Sequence, residues 1–118
     1  MQVTITFRHL DNSDAVKSYV EEKLGKLTRF FSKEPIRLHA ILSHEKFRYG
    51  AEVTVNAENL SFACVEESSD LYVSIDRVYH KLEEQLRRHK ERIKDHKALR
   101  SNEIASLEAL PEQEGAFE

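Results

Sequence analysis

The stretch DLYVSIDRVYHKLEEQLRRHKERIKDHKALR, residues 70–100, repeats its apolar residues at a helical period and contains nothing that would stop a helix. Leu71, Ile75, Val78, Leu82, Leu86, His89 and Ile93 follow one another at spacings of 4, 3, 4, 4, 3 and 4, which aligns them on one face. Neither Gly nor Pro interrupts the run, so the spacing predicts one long helix with a single packed stripe. From Asp70 to Lys97 that helix extends roughly 40 Å, whereas strands of about six to nine residues span about 20–30 Å. Its C-terminal end therefore overhangs a sheet of ordinary strands. In the overhang, Arg87, Arg88, Lys90, Arg92, Lys94, Lys97 and Arg100 stand against only Glu91 and Asp95.

Upstream the period is different. Val3, Ile5 and Phe7 alternate with Thr4, Thr6 and Arg8, the signature of a strand with one buried face. Ser13 is a good N-cap and Asp14 suits the positive end of the helix dipole. Val16, Val20, Leu24, Leu27 and Phe31 then form a helical stripe, and Pro35 sets the limit of that helix by restricting Glu34 to extended conformations. Three further strands follow: Ile36, Leu38, Ala40 and Leu42 face inward on one, Ala51, Val53, Val55 and Ala57 on the next, and Leu60, Phe62 and Cys64 on the last. The short links favour antiparallel hairpins. The predicted fold is α+β with the order β-α-β-β-β-α: a four-stranded sheet with two helices packed on one face, because each helix has one apolar stripe and the outward strand positions are polar.

A chain of 118 residues with 40% hydrophobic and 33% charged content is expected to form one folded domain. No apolar run approaches the roughly 18 residues that span a bilayer, and MQVTITFRHL lacks the charged start, apolar stretch and cleavage site of an export signal, so a cytosolic location is expected. A single cysteine, Cys64, excludes an internal disulfide. The net charge of -3 conceals a division: residues 101–118 hold Glu103, Glu108, Glu112, Glu114 and Glu118 and no base, which leaves residues 1–100 at +2. Residues 1–100 are accordingly expected to be the binding domain, and 101–118 an acidic flexible tail or linker.

The bases are arranged rather than scattered. Arg77, Lys81, Arg88 and Arg92 lie at offsets of 0, 4, 11 and 15 on one flank of the long helix's apolar stripe, while Arg87, Lys90, Lys94 and Lys97 line the other. The first helix adds Lys23, Lys26 and Arg29 at spacings of three. Two helices on one sheet face then present bases together, as a nucleic-acid backbone requires. The competing reading is a solvated basic face whose last turns simply complement the helix dipole.

Catalytic and metal chemistry find little purchase. Cys64 is in phase with Leu60 and Phe62 and reads as a small buried hydrophobe. His80, His89 and His96 are nine and seven apart, not the four of a helical zinc pair, and the adjacent glutamates 21/22, 66/67 and 83/84 point in different directions. The expectation is a protein without catalytic activity, metal or cofactor. The outward strand positions Glu52, Thr54, Asn56, Ser61 and Ala63 carry no aromatic on which bases could stack, so binding is expected through helices and phosphates.

The segment Asp70, Leu71, Tyr72, Val73, Ser74, Ile75, Asp76, followed by Lys81, Leu82, Glu83, Glu84, Gln85, Leu86, resembles the ribosome hibernation-promoting factors and ribosome-associated inhibitors, also called the sigma-54 modulation protein family. YVEEKLGKLTRF and AEVTV are similar to the family as well, so the likeness covers residues 1 to about 97. The resemblance implies a β-α-β-β-β-α domain, monomeric in isolation, that binds the small ribosomal subunit over the messenger and transfer RNA sites, through ribosomal RNA and nearby ribosomal proteins. It implies blocked translation and stored ribosomes under starvation or stationary growth. Lys23, Lys26, Arg29, Lys81, Arg88 and neighbouring bases match basic positions of the family, whereas Glu84 stands where many members have Arg. HKERIKDHK is more like the long members, which add a dimerising domain, so two forms are compatible with the chain: a short form with an acidic tail, or the first domain of a longer protein. The residues themselves also leave open a general double-stranded RNA module and a protein-interaction domain that never meets RNA.

Overall fold

The structure, a computed structural model, describes the backbone of residues 1–100 and the side chains of residues 1–92. The acidic segment 101–118 and the side chains of Lys94, Lys97 and Arg100 lie outside the described residues. Four strands, β1 (Gln2–Arg8), β2 (Ile36–Glu45), β3 (Arg48–Ala57) and β4 (Leu60–Ser68), stand in the order β1-β2-β3-β4. The helices are α1 (Asp14–Gly25) and α2 (Leu71–Arg100), with a 3-10 turn at Lys26–Phe30 between α1 and β2. β1 and β2 run parallel, since α1 carries the chain back across the sheet, and the other two pairings are antiparallel hairpins.

Alternation decides which sheet face is covered. Ile36, Leu38, Ala40 and Leu42 of β2 and Ala51, Val53, Val55 and Ala57 of β3 are buried, and Val16, Val20, Leu24, Leu71, Ile75, Val78, Leu82 and Leu86 of the helices close over them. Both helices thus share one face, with α2 lying across β3 and β4 and meeting α1 along its side. Truncating a fully buried side chain such as Leu82 to alanine would cost about 2–5 kcal/mol. Val3, Ile5 and Phe7 are only partly buried, because β1 is an edge strand at the margin of the helical layer.

Local signals set the ends. Ser13 Oγ accepts from the Val16 amide at 3.2 Å and starts α1. Asp70 Oδ1 accepts from the Tyr72 amide at 2.9 Å at the start of α2. The expected continuous helix up to the segment before Pro35 is corrected: α1 ends at Gly25, the weakest helix former in that segment, and the chain tightens into the 3-10 turn. Thr28 Oγ1 donates to the Gly25 carbonyl at 2.9 Å, Leu27 stays buried, and Phe31 leaves in extended conformation, half-buried beside Phe62. The β3–β4 hairpin turns on Glu58 and Asn59, both left-handed with φ of 54° and 64°, as a two-residue turn demands.

Two buried hydroxyls fasten α2 to the sheet. Ser74 Oγ donates to the Tyr49 carbonyl at 2.7 Å and lies 2.7 Å from Ser68 Oγ, so both hydroxyls are partnered where they have almost no solvent contact. Beyond Leu86, the last buried residue of its stripe among the described side chains, α2 continues to Arg100, roughly 20 Å of helix.

Candidate nucleic-acid interface

Where α1 and the 3-10 turn run beside α2, a seam of bases, tyrosines and two carboxylates forms. Lys23 Nζ is 3.6 Å from Asp76 Oδ1 and 5.3 Å from the centroid of the Tyr79 ring. One turn on, Arg29 lies over the Phe30 ring at 4.5 Å and donates through Nη1 to the Lys26 carbonyl at 2.8 Å and to Tyr79 Oη at 3.3 Å. Its Nη2 is hydrogen-bonded to Glu83. Arg87, one helical turn beyond Glu83, reaches the same carboxylate oxygen at 3.3 Å, and His80 Nδ1 approaches the other at 3.9 Å. Burial pushes the Glu83 carboxyl up, but the hydrogen bond from Arg29 and the charges of Arg87, Arg29 and His80 outweigh it, and Glu83 is held below the usual carboxylate value. It is a charged hub that orders two arginines.

Tyr19 completes the seam. Its hydroxyl donates to Asp76, and its ring meets that of Tyr72 edge-on at 4.9 Å. The hydrogen bond to Asp76, with burial and the Asp76 charge behind it, pushes the phenol up to about 12, so it stays protonated and donating at neutral pH. Asp70, Tyr72 and Asp76 thus have structural work: Asp70 caps α2, Tyr72 packs on Tyr19, and Asp76 takes both Tyr19 and Lys23.

The opposite flank of α2 leans over the free edge of β4. Arg77 Nη1 donates to the Glu67 carbonyl at 3.2 Å, Gln85 Nε2 to the Ala63 carbonyl at 3.3 Å, and Lys81 Nζ pairs with Glu66 Oε2 at 2.8 Å. The hydrogen bond to Glu66 raises the Lys81 ammonium above its ordinary value. These contacts occupy carbonyls on an edge strand that would otherwise invite another strand. Arg88 pairs with Glu84 at 2.7 Å, an exposed i, i+4 pair of about 0.3–0.5 kcal/mol that a phosphate can displace.

The bases expected from sequence therefore fall into separate groups. Lys23, Arg29 and Arg87 come together at the seam, Lys26 contributes its backbone carbonyl to Arg29 there, and Lys90 lines a hollow at its end with Phe30, Phe31 and His89. Arg77 and Lys81 stand apart at the β4 edge, and Arg88 points outward with Glu84. Arg92 is half-buried on the rod, and the side chain of Lys94 lies outside the described residues. Sequence reading gives no interface role to Tyr19 and Tyr79, and names Tyr72, Asp76 and Glu83 only as residues that carry the resemblance; Tyr79, one residue after the stripe position Val78, is the available signal. Cys64 is half-buried, with its thiol pushed up by burial first and by Glu66 second. Among the described residues no group of three His, Cys, Asp or Glu side chains could hold a metal ion, and no helix is long and apolar enough to cross a membrane.

Comparison with known proteins agrees with this architecture. Residues 3–94 match the family model described as Sigma 54 modulation protein / S30EA ribosomal protein. The chain is 39% identical over 80 residues to a ribosome hibernation promoting factor of Acidithiobacillus ferridurans, covering 64% of this chain and 100% of that protein. It is 37% identical over 90 residues to the ribosome hibernation promotion factor of Staphylococcus aureus, covering 72% of this chain but 47% of that one. Among solved structures, the N-terminal domain of Thermus thermophilus Protein Y superposes with a TM-score of 0.70 at 32% identity, covering 75% of this chain and 99% of that domain. A ribosomal subunit interface protein from Coxiella burnetii gives 0.66 at 27% identity, covering 77% and 99%. On the strength of the match across residues 3–94, the chain belongs to the Sigma 54 modulation protein / S30EA ribosomal protein family.

Proposed function

We propose that this protein is a non-catalytic, cytoplasmic ribosome-binding factor that occupies the messenger and transfer RNA region of the small subunit, inhibits translation and holds ribosomes in hibernation under stress or in stationary phase. The observation that carries the reading is the seam. Lys23 of α1, Arg29 of the 3-10 turn and Arg87 of α2 are gathered around Asp76 and Glu83, with Lys26 beside Arg29 in the turn, in a family whose relatives bear ribosome hibernation names. Partly satisfied guanidinium groups on a rigid scaffold suit phosphate recognition, because little side-chain freedom remains to be lost on binding. The seam grips ribosomal RNA phosphates together with Lys90, and Arg88, Arg92 and Lys94 extend the contact along the overhanging rod. Arg77 and Lys81 supply the second flank.

Co-sedimentation of the purified protein with small subunits, large subunits and a free RNA duplex tests this. Strong preference for the small subunit, accompanied by inhibition of translation in a cell-free system, is expected. Equal binding to any duplex would make the chain a general RNA module, and binding to none would make it a protein-interaction domain.

A further inference from the structure

The most exposed large apolar side chain among the described residues is Phe47, 87% accessible, at the turn of the β2–β3 hairpin. Its setting is rigid. Glu45 and Arg48 are the last paired residues, leaving a two-residue turn, and Lys46 adopts a left-handed φ of 56° that costs a lysine energy where Gly or Asn would sit easily. Below the turn, His44 and Tyr49 face each other across the strands with rings 4.2 Å apart and 5° from parallel. Tyr49 is tied to α2 by the bond from Ser74, and Arg48 Nε reaches Glu67 at 3.3 Å while its side chain stays more than half exposed. The hairpin therefore holds a phenyl ring in water, with the basic residues Lys46 and Arg48 on either side of it in the chain and Arg48 paired to Glu67. This end of the sheet lies beside the first turn of α2, roughly 30 Å of helix from Arg92.

An exposed apolar ring flanked by cations fits an unpaired nucleobase, which offers a flat face to the ring and phosphates to the bases on either side. An apolar protein pocket would take the ring but would gain nothing from Lys46 and Arg48. We propose that the β2–β3 hairpin is a second RNA contact, in which Phe47 stacks on an unpaired base of ribosomal RNA while Lys46 and Arg48 meet the adjoining phosphates. The proposal rests on the ribosome-binding reading above and adds base stacking to a contact otherwise made through phosphates.

The protein contains no tryptophan, so Phe47→Trp gives a single reporter at the site. Titrated with small subunits, this variant should lose fluorescence as the indole stacks on a base. Phe47→Ala should bind about five- to a hundredfold more weakly than wild type, as loss of one stacked base implies, and Phe47→Tyr should retain most of the affinity. A blue-shifted emission without quenching would place the ring in a protein pocket and overturn the proposal. Unchanged fluorescence in a variant that still co-sediments would overturn it too, leaving the ribosome-binding reading intact. Failure of the wild type itself to co-sediment would defeat both.

Discussion

Arg29, just past the end of α1, is hydrogen-bonded to Glu83 in the middle of α2, a link between residues 54 apart in the chain. The partner it takes is one that Arg87 also holds, so Glu83 is the point at which the helices share charge. A carboxyl depressed in the folded state contributes stability above its ordinary, unfolded value and loses that contribution as pH falls through the lower folded value. Glu83→Gln should therefore lower the melting temperature by a few degrees at neutral pH, and the deficit should shrink as pH falls through the ordinary carboxylate range and below it. Parallel curves for wild type and variant would show that Glu83 titrates as an ordinary surface carboxylate.

The same seam makes Tyr19 ionise late. Its phenol, raised to about 12 chiefly by the hydrogen bond to Asp76, contributes stability that is intact below pH 10 and is lost as pH rises through the folded value. Ultraviolet difference titration of the four tyrosines should show a final step that disappears in Tyr19→Phe and moves down in Asp76→Asn. If the missing signal in Tyr19→Phe belonged instead to an early step, the Asp76 bond would not persist in solution.

Binding through phosphates has a salt signature. Lys26→Ala and Arg87→Ala remove bases that lie off the apolar stripe, so folding should survive, and each should weaken small-subunit binding. Each should also reduce the slope of log affinity against log salt by about 0.7–0.9, the value for one neutralised phosphate. Filter binding across a salt series reads both numbers. A weaker but equally steep response would mean that the side chain positions its neighbours rather than meeting RNA.

The alternation in β2 and β3 and the 4, 3, 4, 4, 3 spacing in α2 made the layers legible before any coordinates, because burial on one face writes itself into the chain at the period of each element. The turn end of the β2–β3 hairpin escaped that logic. The apolar alternation stops at Leu42 and resumes at Ala51, yet both strands run on to the turn and Gly50 is paired with Ser43, where a Cβ would lie 2.8 Å from the Ser43 hydroxyl. The apolar spacing of Leu24 and Leu27 runs a helix through Gly25, but a 3-10 turn satisfies that spacing as well. For the interface, composition exposed the bases but not their carboxylate partners. Arg29–Glu83 and Lys23–Asp76 depend on how two helices dock, and no local spacing encodes that.

The β4 flank yields the last prediction, which turns on what Lys81 leaves behind. Lys81 is 61% exposed, while its partner Glu66, 2.8 Å away, is only 17% exposed and fixed on the strand. Lys81→Ala therefore removes an attraction and also uncovers a carboxylate facing the same region. If RNA phosphates pass along this flank, the variant suffers both a lost contact and a new repulsion, and its affinity should fall further than that of Arg88→Ala. Replacing Glu66 as well, in Lys81→Ala/Glu66→Gln, removes the repulsion and should restore part of the loss, so the two substitutions are non-additive. Sedimentation with small subunits at low and high salt measures the coupling, which should be largest at low salt, where screening is weakest. A double variant that binds no better than Lys81→Ala would assign this flank to guarding the β4 edge, and would confine the RNA interface to the seam and the rod.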